Sequence, residues 1–146
     1  MRIYLDVCCL NRPFDDQTQD RIHLEAEAIL SIIKFVEKGQ WTLLNSDGIL
    51  YEVSKIPDPE RRKKVQIIIS RASEHIRLEK KILARAKRLK NLGIKNLDAL
   101  HVACAESGKV DIFLTTDDRL LRILHQYSDE INVKADNPLA WIKEVI

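Results

Sequence analysis

Hydrophobic positions along this chain follow two rhythms, short unbroken apolar runs and longer stretches spaced by three and four. Ile3-Tyr4-Leu5 runs straight into Asp6 and predicts a buried first strand. Asn11-Arg12-Pro13-Phe14-Asp15-Asp16 reads as a loop. From about residue 17 to 38, Ile22, Ala26, Ile29, Ile33 and Val36 recur at helical spacing, and Lys38-Gly39 supplies a stop. The stripe Ile29, Ile33, Val36 suits either a core or a face that pairs two subunits. Trp41-Thr42-Leu43-Leu44 predicts a second strand, after which Ser46 or Asp47 can cap a short helix containing Leu50, Glu52 and Val53.

Asp58-Pro59-Glu60 combines a cap residue, a proline at the first helical position and an early acid, so a helix should run to about Ala72. A short extended piece is expected around His75-Leu78, then a basic helix over about 79–91 that ends at Asn91-Leu92-Gly93. Asn96 is expected to cap a helix from Leu97 to about Ser107. Ile112-Phe113-Leu114-Thr115 predicts a third strand, Asp117 to about Gln126 a helix, Ile131-Asn132-Val133 a fourth strand, and Pro138 the start of a last helix. Strands separated by helices imply crossover connections and a parallel sheet covered on both faces. The expected fold is α/β, a three-layer α/β/α sandwich around a mainly parallel sheet of four to five short strands, with residues 1–146 forming a single domain.

Composition narrows the chemistry. With 146 residues, 45% hydrophobic and 32% charged, one sizeable core is within reach. No apolar run approaches the roughly 20 residues of a membrane span, and Asp6 interrupts the N-terminus before a signal-peptide core can form. A cytoplasmic protein with no membrane partner is expected. Cys8, Cys9 and Cys104 are an odd count without CxxC spacing and read as small buried apolar residues. The four histidines show no HxxxH or HxH pair, so a metal would be held by oxygen. Net charge is only +2, but residues 60–95 carry thirteen Lys and Arg against Glu60, Glu74 and Glu79. That asymmetry suits either a polyanion footprint or the solvated faces of two surface helices.

In open parallel sheets, ligands bind beyond the carboxyl ends of the strands. Asp6 follows the first strand, Glu52 lies on the helix after the second, Asp98 opens the helix after Asn96, and Asp117 follows the third strand. Facing one another, these carboxylates would repel unless a cation lay among them. Mg²⁺ or Mn²⁺ take hard oxygen ligands and support in-line attack on phosphodiesters. His101, one helical turn after Asp98, reads first as a packed or hydrogen-bonded histidine. Glu25 and Glu27 read as solvent-facing, with Glu27 a candidate partner of the ligands, and Trp41 and Trp141 as core or interface anchors.

Ile3-Tyr4-Leu5-Asp6, Ser46-Asp47-Gly48-Ile49-Leu50-Tyr51-Glu52-Val53, Leu97-Asp98-Ala99-Leu100-His101-Val102-Ala103 and Phe113-Leu114-Thr115-Thr116-Asp117 together resemble the PIN-domain pattern, in order and spacing, across the chain. The resemblance implies a metal-dependent ribonuclease, the VapC-like toxin of a toxin–antitoxin pair. It further implies an RNA substrate, a cognate antitoxin, a homodimer and Mg²⁺ or Mn²⁺ as cofactor. Carried over residue by residue, Asp6, Glu52, Asp98 and Asp117 are the catalytic acids, with Asp6, Asp98 and Asp117 on the metal. Thr115 positions its loop, and Asp118 is an additional acid. The family often follows its first Asp with Thr, Ser or Asn, whereas Val7, Cys8 and Cys9 stand there here, which makes Asn11 the substitute polar group. That departure also motivates a different reading, a catalytically weak PIN-like module that binds RNA or a protein partner.

Overall fold

The computed structural model describes all residues, Met1 to Ile146. Five strands, β1 (Arg2–Leu5), β2 (Thr42–Ser46), β3 (Glu74–Ile76), β4 (Ile112–Leu114) and β5 (Ala135–Asp136), form one sheet in the order β3-β2-β1-β4-β5. Every pairing is parallel, with Ile3 opposite both Leu43 and Ile112. Eight helices flank it: α1 (Val7–Asn11), α2 (Asp20–Glu37), α3 (Asp47–Ser54), α4 (Pro59–Ile69), α5 (Lys80–Leu89), α6 (Asn96–Ser107), α7 (Asp118–Gln126) and α8 (Pro138–Val145). The result is the α/β/α sandwich expected from the alternation of apolar runs.

Strand order fixes where a site can lie. From β1 the chain moves to β2 on one side, and from β4 it moves to β5 on the other. The neighbouring strands β1 and β4 therefore form a switch point, and the crevice beyond their carboxyl ends is the natural binding place in such sheets. Asp6 ends β1 there, its backbone N–H donating to Leu114 O at 2.9 Å, so the two strand ends are laced together.

The core is a contiguous cluster of 36 buried residues built from both sheet faces. Ile29 and Ile33 of α2 belong to it, so that stripe is core. Trp41 and Trp141 meet with ring centroids 5.0 Å apart and anchor α8 beside the start of β2. Gly108 is needed for packing, since a Cβ there would stand 2.7 Å from Ile76 Cδ1 and 2.9 Å from Leu44 Cδ2.

Four expectations are corrected. The last strand is Ala135–Asp136 and not 131–133, because Asn132 N donates to Glu106 Oε2 at 2.8 Å instead of joining the ladder, which begins with Phe113 N on Lys134 O. Asn96 is the first residue of α6 and caps nothing; the residue before it, Lys95, occupies the cap position without a side-chain bond. The loop expected over residues 11–16 is partly ordered: Asn11 ends a helical turn, Val7–Asn11, that Asp6 caps, and Arg12–Phe14 forms a 3-10 turn. Glu25 is not solvent-facing: it is 1% exposed and meets Arg12, Arg21 and Asn137.

Candidate active site

The crevice beyond β1 and β4 is lined by acids that separate elements deliver. Asp6 reaches it because β1 stops and α1 begins: the carboxylate Oδ1 accepts the Val7 N–H at 2.8 Å as an N-cap. Its other oxygen, Oδ2, accepts the Thr115 hydroxyl at 2.8 Å and the Cys8 thiol at 3.4 Å. Asp6 is 5% exposed. All three of its donors are uncharged, and burial holds its pKa above the ordinary aspartate range, against the opposing pull of His101 and Thr115.

Asp98 stands in the first turn of α6, where its charge is also favourable to the helix. Burial, then the charges of Asp6 and Asp117, push its pKa up to about 6. Glu52 pushes the same way and His101 opposes, so five ionisable side chains share one electrostatic neighbourhood. Asp117 caps α7, its Oδ1 accepting the Arg119 and Leu120 N–H groups at 3.0 and 3.1 Å. Thr115 is fully buried and serves two acids, donating to Asp6 and accepting the Asp117 N–H at 3.2 Å.

Glu52 comes from α3, whose start is fixed by Ser46 Oγ accepting Ile49 N–H at 3.0 Å. Its Oε1 lies 2.8 Å from His101 Nε2. One ligand-type atom from each of Asp6, Glu52 and His101 falls within 4.8 Å of the other two. His101 is wholly buried, so the hydrogen-bonded reading of this residue holds. The other ring nitrogen, Nδ1, lies 2.7 Å from Tyr4 Oη, which is 2.8 Å from Ser46 Oγ. Burial disfavours the imidazolium, but the Glu52 bond and the charges of Asp6, Glu52 and Asp98 outweigh it and raise the His101 pKa overall.

Two sequence candidates stand apart from this group. Asn11 spends its side chain on Val7 O at 3.1 Å and on Arg61 Nη1 at 3.4 Å. Asp118 is exposed and forms a two-point pair with Arg21, both contacts at 2.7 Å. Glu27 is likewise exposed, whereas Cys8 is not the inert apolar residue expected. Its thiol touches Asp6 and lies 3.3 Å from Thr115 Oγ1. Tyr4, Ser46 and Cys8 escape sequence reasoning, although one clue to Tyr4 exists: in a buried strand its hydroxyl requires a partner.

The residues fit a hard divalent cation. Asp6 and Glu52 lie together with His101, and the charges of Asp6, Asp117 and Glu52 all act on Asp98 and raise its pKa, an accumulation of negative charge that suits hard oxygen ligation.

The PIN domain family model matches residues 3–125. The chain therefore belongs to the PIN domain family, whose members are in general nucleases. Comparison with curated proteins gives no match. Among solved structures, the chain is similar to VapBC2 from Rickettsia felis bound to a DNA fragment from its promoter. That likeness has a TM-score of 0.64 at 20% identity and covers 94% of this chain and 98% of the other. It is also similar to VapBC-1 from nontypeable Haemophilus influenzae, with a TM-score of 0.60, 13% identity and the same coverages. At these identities the likeness shows a shared fold.

Proposed function

We propose that this chain is a Mg²⁺- or Mn²⁺-dependent endoribonuclease, the VapC-like toxin of a toxin–antitoxin pair. The grouping of Asp6, Glu52, Asp98 and Asp117 at the switch point carries this reading: burial and neighbouring carboxylates disfavour the anionic forms of Asp6 and Asp98, and a cation among them would offset that cost. A bound ion supplies charge neutralisation at the scissile phosphodiester and makes water a competent nucleophile. Asp6, Asp98 and Asp117 would hold it, with Glu52 reaching it through water.

The chain's own residues do the positioning. Thr115 and the Val7 N–H lock the Asp6 carboxylate, and the cap of α7 fixes Asp117 through one oxygen while leaving the other for a ligand. Asp118 and Asn11, committed to arginines and backbone, support the surrounding loops. The basic helix α4 packs against α1 and α3, the elements that follow Asp6 and carry Glu52, and its exposed Lys63 and Lys64 offer a sequence-independent hold on an RNA backbone. The two similar structures are VapBC assemblies, which supports an antitoxin as partner. A homodimer in the cytoplasm accords with this reading, and no helix is long and apolar enough to cross a membrane.

The test is incubation of the wild-type chain and its Asp6→Asn variant with structured and unstructured RNAs in Mg²⁺, Mn²⁺ or EDTA. Cleavage that needs the ion and is lost in the variant is the expected result. RNA binding with no metal-dependent cleavage by the wild type would overturn it in favour of a binding module.

A further inference from the structure

Glu52 differs from Asp6 in leading, through a histidine, into a chain of buried side-chain hydrogen bonds. Its carboxylate meets His101 Nε2 at 2.8 Å, His101 Nδ1 meets Tyr4 Oη at 2.7 Å, and Tyr4 Oη meets Ser46 Oγ at 2.8 Å. The chain stops at Ser46 Oγ, which accepts the Ile49 N–H and so is tied to the first turn of the helix that carries Glu52. Ser46, Tyr4 and His101 are all buried, and the network closes a ring from α3 through α6, β1 and the end of β2 back to α3. Aromatic contacts hold its middle: Tyr4 stacks on Phe113 with centroids 5.5 Å apart and meets the His101 ring edge-on at 5.8 Å.

Hydrogen-bond capacity gives this ring a direction. A carboxylate can only accept, so His101 Nε2 must carry the proton it shares with Glu52. In a neutral ring Nδ1 is then an acceptor, filled by the Tyr4 hydroxyl, while Ser46 donates to Tyr4. In a charged ring Nδ1–H donates to Tyr4, whose own proton turns to Ser46. A tyrosine hydroxyl can serve either way, so the donor facing Glu52 persists in both states, which a phenylalanine at position 4 could not ensure.

We propose that His101 and Tyr4 are positioning residues that aim the Glu52 carboxylate at the cation site, His101 as a hydrogen-bond donor to Glu52 and not as a ligand. This rests on the metal-dependent reading above. Groups that orient ligands from behind typically contribute about 10–100-fold to metal affinity or activity. The competing role, direct ligation by His101 Nε2, requires that nitrogen to give up its proton and its bond to Glu52.

Mn²⁺ alone is the probe, titrated by electron paramagnetic resonance into the wild type and into Tyr4→Phe, His101→Gln and His101→Leu, with folding checked by circular dichroism. In the wild type no directly coordinated ¹⁴N should appear in the pulsed spectrum. His101→Leu should weaken Mn²⁺ binding by about tenfold or more, His101→Gln should recover most of it because its amide N–H reaches the same carboxylate, and Tyr4→Phe should fall between. On RNA, kcat should drop in the same order with KM unchanged. Coordinated ¹⁴N in the wild type would overturn the proposal, and so would wild-type Mn²⁺ affinity in folded His101→Leu. If His101→Leu fails to fold, wild-type affinity in folded Tyr4→Phe and an absence of rescue between Gln and Phe variants overturn it equally. A wild-type chain that binds no Mn²⁺ removes the metal-dependent reading itself, whereas one that binds Mn²⁺ without cutting RNA removes only the cleavage and leaves the affinity series decisive.

Discussion

Asp6 and Glu25 are the two acids buried most completely in this protein, and they are compensated in opposite ways. Glu25 is surrounded by cations and donors that the chain itself provides. Arg21 Nε lies 3.2 Å from one oxygen, Arg12 Nε lies 3.0 Å from the other as an ion-pair contact without hydrogen-bond alignment, and the Asn137 amide completes the set. Asp6 has only a hydroxyl, a thiol and a backbone N–H. A carboxylate whose charge is answered from within joins elements together; here it ties α2 to the 3-10 turn and to the cap of α8. One whose charge is left to be answered from outside marks a place for a ligand.

Exchange of the two acids in turn gives the sharpest separation. Asp6→Asn should lower metal-dependent cleavage by about 100-fold or more while the chain stays folded, as read from initial rates and a thermal melt. An Asp6→Asn chain cutting at the wild-type rate would erase the contrast. Glu25→Leu should do the reverse, costing about 1–2 kcal/mol in urea unfolding because Arg12, Arg21 and Asn137 lose the buried acceptor they share, although each arginine keeps an aspartate, with the rate per folded molecule kept. A stability loss for Asp6→Asn and none for Glu25→Leu would invert the argument.

Asp98 sharpens the comparison through pH. Its pKa of about 6 in the folded chain lies above the ordinary 3.8, so the folded state holds an extra proton between those values. As pH rises through that window the proton is lost at a cost, and stability without divalent ion should fall until Asp98 is ionised in both states. With the site partly open to solvent, the drop from pH 4 to 7 should be about 1–2 kcal/mol. Asp98→Asn should flatten it, and added Mg²⁺ should oppose it. An unchanged slope in Asp98→Asn urea titrations would place the cost elsewhere. Smallest of all, Asp118→Ala removes an exposed pair with Arg21 and should cost about 0.5 kcal/mol with cleavage intact.

Much of this was legible in the linear pattern, and the exceptions have physical causes. β1, β2 and β4 are apolar runs buried on both faces, and a run of that kind leaves little choice of structure. β5 is two residues long and follows a segment whose backbone is captured by Glu106, so apolar Ile131 and Val133 point to a strand that the hydrogen bonds do not make. Glu25 reads as surface because no local spacing reveals that Arg12 and Asn137 converge on it from outside its helix. The candidate acids Asp6, Asp98 and Asp117 stand out in the sequence because each sits where a strand ends or a helix starts, whereas Glu52 lies in the last turn of α3. The ring behind Glu52 was not, since Tyr4 and His101 are 97 positions apart and each alone resembles packing.

The bond between Asp6 and Thr115 spans 109 residues. β1 emerges first during synthesis, yet its pairing with β4 cannot form until three-quarters of the chain has been made, and non-local parallel pairing is slow to close. A nascent or truncated chain thus carries its acids scattered. The candidate site of a protein with this connectivity is therefore assembled only once β4 and the residues after it have been added.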